Sequence, residues 1–210
     1  MQNKVSIKYK ELRKPVQYNH ISSPFGTVGT LQADLMDLSK FSHKKKGFKY
    51  ILNAIDVFSR YSWGTPLKSK NAKDVSEGIN EIFQDLKETH PDVMLTLTTD
   101  NGKEFINSSV KKVLEKNDVW KHYLNDPEKV TQHSRMGKIE RFNGTLLNRI
   151  KKLMYTNDSI KYVDDIPDLV FNYNNTIHST IGEKPIDVYE NKAIPDDVEQ
   201  VEMNQVVVLT

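Results

Sequence analysis

The chain has 210 residues, 37% hydrophobic and 28% charged, with a formal net charge of +2 at neutral pH. That length suits one domain of about 150 residues with short arms, and the apolar content is that of a folded protein rather than a disordered one. The chain has no cysteine, which excludes disulfides, a thiol nucleophile and cysteine-based zinc sites.

The first stretch, Met1 to Pro24, carries Lys4, Lys8, Lys10, Arg13 and Lys14 against Glu11 alone, and it has no apolar core of a secretory signal. It reads as a basic amino-terminal arm over residues 1–27, either disordered and solvated or suited to DNA or to a neighbouring subunit. The protein is expected to stay in a reducing compartment. No run anywhere approaches the roughly 20 apolar residues of a membrane helix.

Residues 28–38, 47–57 and 60–67 are rich in apolar and β-branched residues between polar, Gly- and Ser-containing turns, which predicts three strands in an antiparallel meander. The lysine-rich connection 39–46 reads as a solvated hairpin loop. Residues 71–90 place Val75, Ile79, Ile82, Phe83 and Leu86 at helical spacing, with Asp74 in the first turn and Pro91 beyond the end, predicting an amphipathic helix. A short β-rich run over 93–99 ends at Asp100. A helix over 108–117, a fifth strand over 119–124, a polar loop, and helices over 135–154 and 163–175 follow. This order describes an α/β protein with a five-stranded mixed sheet flanked by helices. The core is expected to span 28–190, and residues 191–210 to form an acidic tail or the start of a carboxy-terminal module.

Three acids have settings suited to chemistry. Asp34 lies inside the first strand among Leu31, Leu35 and Leu38, where an ionised carboxylate needs a partner or a metal. Asp100 stands at the end of a strand just before Asn101 and Gly102, a usual place for active groups in sheets flanked by helices. Glu140 lies early in the long helix, away from the row of Ile139, Phe142, Leu146, Ile150 and Leu153. Such an oxygen donor set suits Mg²⁺ or Mn²⁺, and two ions about 3.5–4 Å apart serve in-line phosphoryl displacement. His20, His43, His90, His122, His133 and His178 show no metal-ligand spacing. Taken singly, each acid has a plainer reading: a core acid, a turn residue, a solvated helix residue.

Several separated segments resemble the catalytic core of retroviral and retrotransposon integrases, within the ribonuclease-H-like polynucleotidyl transferases. Q-A-D-L at Gln32–Leu35 resembles the first acidic strand, and A-I-D-V-F-S-R-Y at Ala54–Tyr61 the strand and turn after it. T-D-N-G-K-E-F at Thr99–Phe105 resembles the motif of the second acid, and H-S-R-M-G-K-I-E-R-F-N-G-T-L at His133–Leu146 the loop and helix of the third. Y-N-N-T-I-H-S-T-I-G-E-K-P at Tyr173–Pro185 resembles the element that closes many retroelement cores. The wording of these motifs is most similar to integrases of the Polinton or Maverick transposons and of virophages.

The resemblance implies a ribonuclease-H-like fold in which Asp34, Asp100 and Glu140 hold two Mg²⁺ or Mn²⁺ ions. It implies 3′-end processing and strand transfer of element DNA into target DNA. It also implies a homo-oligomer, at least a dimer, acting in a eukaryotic nucleus or a viral particle. Asp37 and Asp56 are expected to stand outside the site, Asp37 facing away from Asp34 and Asp56 capping the turn to Ser59. The stretch between the second and third acids, 101–139, is longer than in many retroviral relatives. Gly144 and Leu147 also stand where those relatives tend to carry basic residues. DNA contact is therefore expected from Lys138, Arg141, Asn143, Arg149 and Lys151, with Lys152 a further candidate. Asn143 is expected either to orient Glu140 or to bind a nucleotide, and Gly137 to let the loop reorganise before the helix begins. The alternatives are a cut-and-paste transposase or nuclease of the same fold, or a noncatalytic domesticated DNA-binding protein. Against the latter, a scaffold gains nothing from clustered acids that repel one another.

Overall fold

The computed structural model describes residues 27–41, 47–125, 136–157 and 162–191. The expected amino-terminal arm, most of the lysine-rich hairpin loop, the polar loop before the long helix and the acidic tail lie outside the described residues.

Three strands, β1 (Thr30–Asp37), β2 (Tyr50–Asp56) and β3 (Ser62–Leu67), form the expected antiparallel meander, with a single 3-10 turn at Ser39–Phe41 after β1. Helix α1 (Ala72–Thr89) leads to β4 (Thr96–Asp100), helix α2 (Ser108–Lys116) to β5 (Lys121–Asn125), and helices α3 (Gly137–Asn157), α4 (Tyr162–Asn174) and α5 (Pro185–Tyr189) follow. The sheet order is β3-β2-β1-β4-β5, with β4 parallel to β1 and β5 parallel to β4. The parallel pairs follow from the crossovers: α1 and α2 carry the chain back before each next strand starts.

The local reasons are conventional. Asn71 caps α1 by accepting the Asp74 N–H at 2.8 Å, and Asn107 caps α2 by accepting that of Val110 at 2.9 Å. α5 escaped the periodicity reading because five residues hold barely more than one turn. Pro185 opens it, where a missing N–H is harmless.

Two apolar layers result, because alternate residues of each strand face opposite sides. On one side Leu31, Ala33, Leu52, Ala54, Trp63 and Leu97 pack with Val75, Ile79, Phe83 and Leu86 of α1, with Val110 of α2 and with Tyr189 of α5. On the other, Met36, Ile51 and Ile55 pack with Ile139, Phe142, Leu146 and Ile150 of α3 and Ile166 and Leu169 of α4. Burial of each such large side chain stabilises the fold by about 1.5–3 kcal/mol. Gly78 lets α1 lie close on the sheet, since a Cβ there would stand 2.8 Å from Leu52 Cδ2. Among the described residues no helix is long and apolar enough to cross a membrane.

Candidate active site

The even-numbered residues of β1 face α3. Gln32 is buried, and its side-chain oxygen accepts the backbone N–H groups of Lys138 and Ile139 at 3.2 and 3.0 Å. It therefore supplies from the sheet the acceptor that the first turn of a helix otherwise lacks. Two residues on, Asp34 lies on the same face. The β1–β4 pairing sets Gln32 opposite Thr98, and continuing that register by two residues sets Asp34 beside Asp100. Asp34 is half-buried. Its Oδ1 accepts the Leu35 N–H at 2.8 Å and its Oδ2 the Asn143 amide at 2.7 Å.

Asp100 ends β4, and its Oδ1 accepts the Gly102 N–H at 3.0 Å, which closes the turn after the strand. Space beside Gly102 is taken up by carboxylates: a Cβ there would lie 3.0 Å from Asp100 Oδ1 and 2.7 Å from Glu104 Oε2. The Glu104 carboxylate thus folds over the same turn. Glu140 is exposed in the first turn of α3, opposite the row that enters the core, as its spacing predicts.

The electrostatics join these acids. Burial pushes the Asp34 carboxyl above its ordinary range, and the Leu35 N–H draws it back. The nearby Asp100 and Glu140 carboxylates then raise it further, while the Asn143 amide lowers it. Among the described residues no three acidic or histidine side chains are drawn together tightly enough to enclose an ion as they stand. In chemical kind the donors fit a hard divalent ion: carboxylate oxygens, with no cysteine thiolate in the chain.

Asp37 and Asp56 stand apart from this group. Asp37 is exposed on the opposite strand face, accepting the Ser39 N–H at 2.8 Å. Asp56 is fully buried and accepts the N–H of Gly29, Phe58 and Ser59 and the Ser59 hydroxyl. It ties the β2–β3 turn to the start of β1.

The expected DNA-facing side chains divide. Arg141 and Lys151 are exposed on α3, as is Lys152. Lys138 is half-buried beside Gln32, where its own N–H is held. Arg149 turns toward α4, donating to the Leu169 carbonyl at 3.1 Å with its guanidinium 5.7 Å from the centre of the Tyr173 ring. Asn143 corrects the expectation that it orients Glu140: it lies on the sheet side of α3, donates to Asp34 and accepts from the Asn53 amide at 2.7 Å. Gly137 is the first residue of α3, with open space around it. Gly144 is likewise exposed and open, while Leu147 packs into the α3–α4 core.

Gln32, Asn53 and Glu104 were not singled out from the sequence. A signal existed for the first two, since each is a polar amide within an apolar strand, which marks a buried hydrogen-bonding task. Glu104 gave none, because an acid in a polar turn is ordinarily solvated.

Residues 29–129 match the family model described as integrase core domain. A transposon-derived protein of Caenorhabditis elegans is 34% identical over 151 residues, covering 72% of this chain and 49% of that protein. The retrovirus-related Pol polyprotein from transposon gypsy of Drosophila melanogaster is 28% identical over 161 residues, covering 77% of this chain and 14% of that one. The chain thus spans about half the length of the first relative and a small part of the second. Among solved structures, the HTLV-2 integrase catalytic core domain in complex with magnesium, in a trimeric form, aligns with a TM-score of 0.58 at 18% identity. That alignment covers 78% of this chain and 97% of that one, and at such identity it speaks for the fold alone. The matched segment and the fold agree: this chain carries an integrase core domain with a ribonuclease-H-like fold, resembling retroviral-type catalytic cores.

Proposed function

We propose that this protein is a DNA integrase, trimming the 3′ ends of element DNA and joining them to target DNA in one divalent-metal site built on Asp34, Asp100 and Glu140. The observation that carries the reading is geometric: Asp34 lies on β1 beside the strand that Asp100 ends, and Gln32 of the same strand holds the first turn of α3, which bears Glu140. A pair of Mg²⁺ or Mn²⁺ ions, when bound, supplies Lewis-acid polarisation of the phosphate and activation of the attacking oxygen. Asp34 offers a carboxylate held at both oxygens, Asp100 one fixed by its own turn, and Glu140 one exposed on the first turn of α3. Gln32 keeps that helix turn seated on β1, so the third acid stays over the strand bearing the first.

Arg141, Lys151 and Lys152, exposed on the helix that carries Glu140, are the side chains we assign to DNA phosphates. Such contacts weaken steeply with salt and read little sequence. Joining two DNA ends needs two active subunits, so a homo-oligomer is the working form, and the trimeric HTLV-2 core supports that reading. We assign its place of action to a eukaryotic nucleus or a viral particle, where target DNA is met. The motif wording aligns it with integrases of self-synthesising DNA transposons.

The test is strand joining with pre-cut DNA ends and Mg²⁺ or Mn²⁺, comparing the native protein with Glu140→Gln. Joining by the native chain and its loss in the variant are expected. Equal behaviour of the two would remove Glu140 from the site, and cleavage without joining would point to a transposase or nuclease instead.

A further inference from the structure

We propose that Asn53 is a positioning residue of this site, locking the Asn143 amide so that it presents N–H rather than oxygen to Asp34. The inference deepens the integrase reading and rests on it for the reaction, though the geometry stands by itself.

A carboxamide has a donor end and an acceptor end of nearly equal shape, so turning it over costs little unless a neighbour chooses. Asn143 lies between two such neighbours. The Asn53 Nδ2 only donates, and it takes the Asn143 Oδ1 at 2.7 Å. This leaves the Asn143 Nδ2 facing Asp34 Oδ2, also at 2.7 Å. The reversed amide would set donor against donor at Asn53 and oxygen against a carboxylate at Asp34. The β-sheet register puts the parts in one row: Asp34 pairs with Asn53, and Asn53 with Gly64.

The position is costly for the fold. Asn53 is fully buried between Ile51 and Ile55, which enter the apolar layer under α3 and α4. Its Oδ1 has no hydrogen-bond partner among the described residues, and a buried unmet acceptor destabilises a protein. Gly64 opposite leaves the space for it, since a Cβ there would stand 3.2 Å from that oxygen. A leucine would fill the site with no unmet group of its own, and would take from Asn143 Oδ1 only the Asn53 donor. The asparagine is thus accounted for by its donor, and its donor serves Asn143.

Asn53→Leu and Asn53→Val both remove the donor but differ in volume, so a packing defect would affect them unequally. Three measurements are made on the whole chain: thermal melting, Mg²⁺-dependent strand joining, and the side-chain amide NMR signals of Asn143, identified by their loss in Asn143→Ala. Both variants are expected to melt no lower than the native protein. Joining should drop about tenfold, as for lost supporting hydrogen bonds around metal ligands, and more Mg²⁺ should be needed for half-maximal joining. The two Asn143 amide proton signals should shift and exchange faster with solvent. Unchanged joining with unmoved amide signals would overturn the proposal, as would failure of both variants to fold. If the native chain itself joins no DNA, the integrase reading fails, while the amide signals and melting still decide the role of Asn53.

Discussion

The Gln32 side-chain oxygen accepts the Ile139 backbone N–H at 3.0 Å, so the strand that carries Asp34 also holds the first turn of the helix that carries Glu140. Through Asn143 the same strand grips α3 a second time, at Asp34 itself. Two attachments a helical turn apart fix both the height and the rotation of α3 over the sheet.

Gln32→Leu removes the first attachment and leaves the N–H groups of Lys138 and Ile139 without their acceptor. Loss of a helix cap of this kind costs about 1–2 kcal/mol. The expected outcome is a lower urea midpoint at unchanged slope, with strand joining reduced beyond the fraction unfolded. A variant as stable as the native protein would show that the cap is idle.

The acids set a pH and metal dependence. The Asp34 carboxyl is raised in the fold, by burial and by Asp100 and Glu140. Its contribution to stability is therefore fully present below the unfolded carboxylate value of about 3.9 and lost as pH rises through the higher folded value. At neutral pH the ionised group weighs against the native state, and a divalent ion should relieve it. Added Mg²⁺ or Mn²⁺ is expected to raise the melting temperature near pH 7 and to have little effect near pH 4. Asp34→Asn should abolish most of that difference, and a metal response equal at both pH values would contradict the assignment.

Arg149 and Lys151 separate packing from DNA contact. Arg149 bridges α3 to α4 through the Leu169 carbonyl and the Tyr173 ring, so Arg149→Ala is expected to cost about 1–2 kcal/mol of stability. The salt dependence of DNA binding should remain as it was. Lys151 is exposed, and Lys151→Ala should leave melting unchanged while lowering the salt slope by about one unit. Filter binding over a salt series and urea unfolding distinguish the two, and the reverse pattern would exchange their roles.

Gly64→Ala addresses the seat of α4. A Cβ at this position would lie 3.0 Å from Val170 Cγ2, 3.2 Å from Asn53 Oδ1 and 3.4 Å from Ile166 Cγ2. Overpacking of such a contact costs about 1–3 kcal/mol, and here it also presses on the amide row. The expected result is lower stability together with a shifted Asn143 amide signal. Tolerance without either change would mean that α4 yields freely.

Periodicity alone revealed most of the architecture. Val75, Ile79, Ile82, Phe83 and Leu86 mark α1, and three alternating runs mark the meander, because side-chain spacing along a helix or strand is a local property. The positions of Asp34, Asp100 and Glu140 on a strand, at a strand end and on an exposed helix face were legible for the same reason. Partner choice was not. Asn143 follows Glu140 by one turn, yet its amide donates to Asp34 across the sheet–helix interface. Arg149 resembles any surface cation until α4 packs beside it. Asn53 and Gln32 look like defects in apolar strands until α3 lies over them. Hydrogen-bond partners across a sheet–helix interface depend on the rotation of one element over another, and the burial of whole faces sets that rotation. The sequence therefore determined which residues carry charge and which face each strand or helix buries. Only the tertiary structure decided that the buried amides of Gln32, Asn53 and Asn143 hold α3 to the strand of Asp34.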